Sequence, residues 1–265
     1  MADCSWFPPR DNGLRKEEVL IVAIDVLKKH GFELAGSKVV NRLVIAVQGR
    51  PKRGKTHFSL SAPGPIAVFD TDEGLEGVTT KFPGKVVHRM DVTLFADQDP
   101  SQKEFERVIE AWNDLLSSSS VKSIVSDSAT DLYELARMAA FGKLESVRAR
   151  NYGPVHAIFR RIYRSSLSGE KNVILIHKVK AAYVNDVKTN KFELSGFSET
   201  ASWAQLIVEM FRPGDNFDYP DDFGLTVLDS RHKPELNGQV FVGPMASFPF
   251  LASQVLDGTA PSDWA

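Results

Sequence analysis

The chain has 265 residues, 43% hydrophobic and 25% charged, the balance of a soluble globular protein with room for one large α/β core or two small ones. Its 32 basic and 34 acidic side chains leave a net charge of −2, so no global basic field draws it to nucleic acid and any polyanion contact must be local. Cys4 is the only cysteine, which excludes internal disulfides and cysteine-based zinc, and no pair among the six histidines has metal-ligand spacing.

Met1-Ala2-Asp3-Cys4 lacks the basic and apolar regions of a signal peptide. The apolar stretch Val19 to Leu27 is interrupted by Asp25 and is too short to span a bilayer, so a cytoplasmic protein with no membrane partner is expected. Residues before about 13 are Pro-rich and predict an irregular start, followed by a helix over Leu14–His30 that stops at Gly31. Leu43-Val44-Ile45-Ala46-Val47 is a continuous β-branched run, as expected of a strand buried on both faces. It runs into Gly49-Arg50-Pro51-Lys52-Arg53-Gly54-Lys55-Thr56, which matches the phosphate-loop pattern in full, with His57 next and a helix starting at Thr56. Glycines at both ends let the backbone N–H groups wrap a phosphate. Lys55 would reach the β- and γ-phosphates, and the Thr56 hydroxyl would ligate Mg²⁺.

Ile66–Asp70 predicts a second buried strand, and Ser101–Ser117 a helix opened by a Ser101/Glu104 capping box. Ser123–Asp127 predicts a third strand, Asp131–Ser146 and Pro154–Leu167 two helices, and Asn172–His177 a fourth strand. This alternation predicts a parallel sheet with helices on both faces. Tyr183–Val187 and Phe192–Leu194, joined by Lys188-Thr189-Asn190-Lys191, predict an exposed hairpin. Ala204–Phe211, Leu225–Ser230 and Gln239–Val242 predict a closing, partly antiparallel set of strands.

Asp127 ends an apolar strand, where a carboxylate can serve Mg²⁺ together with Thr56. Ser128 stands where many ATPases carry a water-activating glutamate, so the catalytic carboxylate is expected on another strand. Asp70-Thr71-Asp72-Glu73-Gly74 supplies it, with Asp72 or Glu73 orienting water against the γ-phosphate and neither preferred. His177, with Lys178, ends the fourth strand and can sense the γ-phosphate. Lys180, Lys188 and Lys191, interleaved with Tyr183, Phe192 and Phe197, suit single-stranded DNA, where phosphates meet cations and bases stack on rings. Arg231 and Lys233 sit on a late turn from which they could reach a neighbour's γ-phosphate in a ring or filament.

Val44–Thr56, Phe69–Gly74, Ile124–Asp127, Val173–Lys178 and Asp229-Ser230-Arg231 together resemble the RecA-like core of P-loop ATPases. More closely, the chain is similar to phage-encoded RecA-like nucleotide-binding proteins of single-strand annealing and recombination. The resemblance implies an α/β RecA-like P-loop NTPase core with a mainly parallel sheet and an antiparallel C-terminal extension. The expected organisation is a segment 1–40 packed on the core, the core at 41–245 and a tail or helix at 246–265. It also implies ATP and Mg²⁺ as cofactors and ATPase activity. Asp72 falls where RecA proteins carry a catalytic glutamate, His177 at their γ-phosphate-sensing glutamine, and the 179–197 hairpin at a mobile DNA-binding loop. Implied partners are single-stranded DNA, further copies of the chain and a single-stranded-DNA-binding protein, in a host cytoplasm. Two alternatives stand beside this reading. One is a P-loop kinase with Arg160, Arg161 and Arg164 as a lid, the other a scaffold that binds nucleotide and DNA without hydrolysis.

Overall fold

The computed structural model describes residues 28–32, 41–143, 147–184, 187–214 and 222–265. The chain divides into a unit of residues 1–40 and a unit of residues 41–265. Within the first, residues 28–31 close a helical turn at Gly31 (φ 75°), whose N–H donates to the Lys28 carbonyl at 3.0 Å. The remainder of the predicted Leu14–His30 helix lies outside the described residues.

The second unit is an eight-stranded sheet in the order β10-β9-β8-β1-β5-β4-β2-β3. Its strands are β1 (Val44–Gln48), β2 (Ile66–Asp70), β3 (Val87–Asp91), β4 (Ser123–Asp127), β5 (Asn172–His177), β8 (Leu206–Phe211), β9 (Gly224–Ser230) and β10 (Val240–Val242). β3, β2, β4, β5, β1 and β8 run parallel, while β9 and β10 are antiparallel additions beyond β8. This is the mainly parallel α/β fold with an antiparallel C-terminal extension that the residue pattern predicts. β1, β2, β4 and β5 are buried at every residue, as strands covered on both faces must be.

One face is covered by α1 (Lys55–Leu60) and α6 (Phe248–Val255), and Ile45, Val47, Val125, Ile174 and Ile176 pack there with Phe58, Phe248 and Trp264. The other carries α2 (Gln98–Ser117), α3 (Ala129–Phe141) and α4 (Gly153–Ser168), where Val44, Phe69, Ile124, Val173 and Leu175 meet Trp112, Phe159 and Tyr163. Side chains alternate between the two faces along each strand, so neighbouring residues of β5 belong to different cores. α6 and Trp264 are thus part of the main core, and the last twenty residues are no loose tail.

Four local expectations are corrected. α2 begins a turn before Ser101, at Gln98. Ser101 Oγ donates back to the Asp97 carbonyl at 2.7 Å, and Glu104 accepts from the Thr93 N–H at 3.0 Å, so the pair forms no capping box. α3 ends at Phe141, closed by Gly142 at φ 61°, short of the predicted Ser146. β3 went unpredicted. The hairpin consists of β6 (Val179–Val184) and β7 (Val187–Leu194), so Lys188–Lys191 lie inside a strand and not in its turn. A short helix, α5 (Thr200–Trp203), follows and leads into β8.

Candidate functional site

β1 delivers the chain to the phosphate loop at the carboxyl edge of the sheet, where ligands of open α/β sheets bind. Gly49 has φ 149°, and a Cβ there would lie 2.6 Å from the Met210 carbonyl oxygen. Gly54 has φ 88°, and a Cβ there would lie 2.4 Å from the Phe223 ring. Both positions therefore demand glycine twice over, for backbone angle and for space. Lys55 opens α1, and its Nζ donates to the carbonyls of Gly49 (2.9 Å) and Arg50 (3.0 Å), which places the ammonium in the concavity of the loop. Burial lowers its pKa, against the pull of Asp127 and Asp72. The loop walls a cavity of about 860 Å³, also lined by Asp72, Gly74, Asp127 and Lys178.

Asp70, Asp127 and Ile176 stand in register across β2, β4 and β5, which brings the acidic strand ends to the mouth of the loop. Thr56 Oγ1 donates to Asp127 Oδ2 at 2.6 Å. Gly74 marks the centre of the cluster: a methyl group there would lie 3.0 Å from Asp127 Oδ2, 3.1 Å from Asp72 Oδ1 and 3.4 Å from Thr56 Oγ1. Burial pushes Asp127 up to about 6, with Asp72 and Asp70 adding to the rise and the Thr56 hydrogen bond and Lys55 opposing it. Asp72 is raised by burial too, Lys178 opposing and Asp131 and Asp70 adding. Thr56 Oγ1 and Asp127 Oδ2, 2.6 Å apart, are hard oxygen donors that suit a divalent cation. Among the described residues no three His, Cys, Asp or Glu side chains form a metal cage unaided. The set fits Mg²⁺, which completes its shell with phosphate and water.

The match to known families agrees. Residues 41–212, well over half of the chain, match the family described as AAA domain. The chain belongs to the AAA-domain family. It is a P-loop NTPase domain. Among solved structures this AAA domain is similar to the RadB recombinase, at 15% identity and a TM-score of 0.45, over 83% of this chain and 91% of that one. No curated protein matches it.

Of the two candidate catalytic carboxylates, both exposed, Asp72 lines the cavity of the AAA domain, whereas Glu73, with φ 59°, is outside that lining. Asp70 is structural: Oδ1 accepts from the Gly74 N–H at 3.0 Å, and Oδ2 lies 3.0 Å from Arg89 Nε of β3. His177 is fully buried and faces away from the cavity, on the same side of β5 as Val173 and Leu175. Its Nδ1–H donates to the Ser195 carbonyl at 3.0 Å, and Nε2 has no partner among the described residues. Burial depresses it to about 4, so it is neutral. Lys178, one residue on, lines the cavity instead. Its Nζ pairs with Asp131 at 2.6 Å and 2.8 Å, and Asp131 Oδ2 also accepts from Ser128 Oγ and Thr71 Oγ1.

Pro51, Lys52 and His57 line the cavity, while Arg50 and Arg53 do not. His57 packs between Phe82 (4.8 Å) and Phe223 (5.1 Å), and burial lowers its pKa. Arg231 stands beyond Ser230, which pairs with Leu206, at the sheet edge opposite the phosphate loop, and its Nη2 donates to the Ser202 carbonyl at 2.7 Å. It cannot touch nucleotide in its own subunit. Lys233 pairs with Asp257 at 2.7 Å. In the hairpin, Lys180 pairs with Glu193 at 3.2 Å, and the Phe192 ring carries the Arg50 guanidinium 4.5 Å from its centroid. Tyr183, Lys188 and Lys191 fall in β6 and β7, their side chains outside the described part. Phe197 is buried against Phe159 and Tyr163, so it is a core residue and not a base platform. Of the arginines in the kinase alternative, none lines the cavity, and Arg160 is paired with Glu199.

Sequence reasoning missed Asp131, Arg212 and Phe223. Asp131 carried a legible signal, the Ser128-x-x-Asp131 spacing that caps α3. Arg212 is brought to the phosphate loop by the β1–β8 pairing, and Phe223 by the β8–β9 pairing.

Proposed function

We propose that this AAA domain binds ATP with Mg²⁺, hydrolyses it, and uses its nucleotide state to control a grip on single-stranded DNA, as a RecA-like protein of recombination or replication. The observation that carries the reading is the convergence of Thr56, Asp127 and Asp72 oxygens on Gly74, at the mouth of a loop whose lysine points inward. Lys55 and the loop N–H groups hold the phosphates, and Thr56 and Asp127 hold Mg²⁺, which when bound neutralises charge on the β- and γ-phosphate oxygens. Asp72, its pKa raised by partial desolvation at the cavity wall, orients and deprotonates the attacking water. His57 and Phe223 offer the base an aromatic wall at the far end.

Control of DNA is supported by chain continuity, because Lys178 and Val179 line the cavity and the hairpin begins at Val179. The reading extends to a cytoplasmic oligomer, in which Arg231, outside its own subunit's cavity, would serve a neighbouring subunit's site. The phage setting, annealing and a single-stranded-DNA-binding partner follow the resemblance of the motifs. The test is ATP turnover with and without single-stranded DNA, at fixed Mg²⁺ and salt. DNA-stimulated release of phosphate is expected. ATP binding without turnover would leave the scaffold reading, and phosphate transfer to a small acceptor would leave the kinase.

A further inference from the structure

Beyond the nucleotide cavity, the phosphate loop has a second wall. Gly49, Pro51, Lys52, Gly54 and Lys55 face the cavity, while Arg50 and Arg53 line a separate cleft of about 290 Å³ on the loop's outer side. Arg212 borders both, and Phe192 of the hairpin and Phe211 of β8 complete the cleft with Glu209. Among the described residues none of the three arginines forms an ion pair with a carboxylate. Arg50 and Arg212 lie instead over aromatic rings, Phe192 at 4.5 Å and Phe223 at 5.0 Å. Three such guanidiniums gathered against one carboxylate in a chain of net charge −2 are a local excess of positive charge. A guanidinium's planar fork matches phosphate oxygens two at a time, which a lysine cannot do.

We propose that this cleft binds a phosphodiester of single-stranded nucleic acid, with Arg50, Arg53 and Arg212 on the phosphate and Phe192 beside the adjoining base. The inference rests on the single-stranded DNA reading above and gives that reading a location. It also supplies the coupling. The strand and the nucleotide's phosphates grip opposite sides of one eight-residue loop, so any shift of the loop on nucleotide binding moves Arg50 and Arg53. By linkage the two ligands then change each other's affinity by the same factor.

The experiment measures binding of a labelled twenty-residue thymidine oligonucleotide to the nucleotide-free chain across a salt series, so that ATP affinity does not enter. In Arg50→Ala/Arg53→Ala, affinity falls at least tenfold and the salt slope flattens by about 0.7 for each phosphate left without its arginine. Lys143→Ala, just beyond the C-terminus of α3 and outside the cleft, matches the unaltered chain. Circular dichroism checks that the double variant is folded. Independently, dicarbonyl labelling of arginines on the unaltered chain, read by mass spectrometry, shows Arg50 and Arg53 protected by the oligonucleotide and far less by thymidine monophosphate at equal phosphate concentration. If the unaltered chain binds the oligonucleotide and the double variant binds equally well, the cleft is wrong and the DNA reading survives. If the unaltered chain binds no oligonucleotide, both fall. Equal protection by the mononucleotide, or none by either, overturns the assignment to a strand.

Discussion

Replacing Asp127 by asparagine should make the metal-free protein more stable while removing its function. The carboxylate is buried beside Asp72 and Asp70, and its pKa stands at about 6 against an ordinary 3.8. A shift of about two units corresponds to roughly 3 kcal/mol by which the charged form destabilises the native state. Asparagine keeps an oxygen for the Thr56 hydroxyl and removes the charge. The sign follows from proton binding: between pH 3.8 and 6 the native state holds a proton that the unfolded chain has released, so stability of the unaltered chain falls as pH rises through that window. The gap between Asp127→Asn and the unaltered chain is therefore full above pH 6 and closes as pH falls towards 4. At roughly 2–4 °C per kcal/mol for a domain of this size, the variant should melt about 6–12 °C higher at pH 8 in the presence of EDTA. Thermal denaturation by circular dichroism at pH 8, 6 and 4 reads this directly. An equal or lower melting temperature at pH 8 would refute the claim that Asp127 is a charge held against its own stability for a cation.

Three further changes separate the parts of the site. Asp72→Asn should keep ATP affinity and lose turnover by about 10²–10⁴-fold, the size of a general-base contribution, while Glu73→Gln stays near the unaltered rate; steady-state phosphate release decides between them. Gly74→Ala puts a methyl group about 3 Å from the Asp127 and Asp72 oxygens, and a Mg²⁺ titration of turnover should show at least a tenfold higher requirement. Trp112→Ala, which removes a 1%-exposed ring stacked on Phe69 at 5.4 Å, should cost about 3–5 kcal/mol in urea denaturation, the range for a large buried side chain.

Strands buried on both faces were legible from their apolar runs: Val173–Ile176 between Asn172 and His177 gave a strand observed with the predicted bounds. β3 was not legible. Val87-His88-Arg89-Met90-Asp91 is a half-exposed edge strand whose polar residues read as loop, and Arg89 is there to pair with Asp70. The polar run Lys188-Thr189-Asn190-Lys191 imitates a turn, yet it lies within β7, paired to β6. In the site, the loop with Lys55, Thr56 and Asp127 could be read from motif and strand ends alone. That Asp72 and not Glu73 lines the cavity could not, since it depends on the left-handed backbone at Glu73. That Lys178 and not His177 lines the cavity could have been read: Ile174 and Ile176 face the α1 side, and side-chain alternation carries that facing to residue 178 and denies it to 177.

The central claim is that this loop holds a Mg²⁺-bound nucleoside triphosphate through Lys55. Calorimetric titration of ATP into the unaltered chain and into Lys55→Ala, each with Mg²⁺ and with EDTA, tests it most directly. The account predicts one site per chain that needs Mg²⁺ for full affinity and disappears in the folded Lys55→Ala variant. Undiminished ATP affinity in that variant, or no binding by the unaltered chain at millimolar ATP and Mg²⁺, would contradict it.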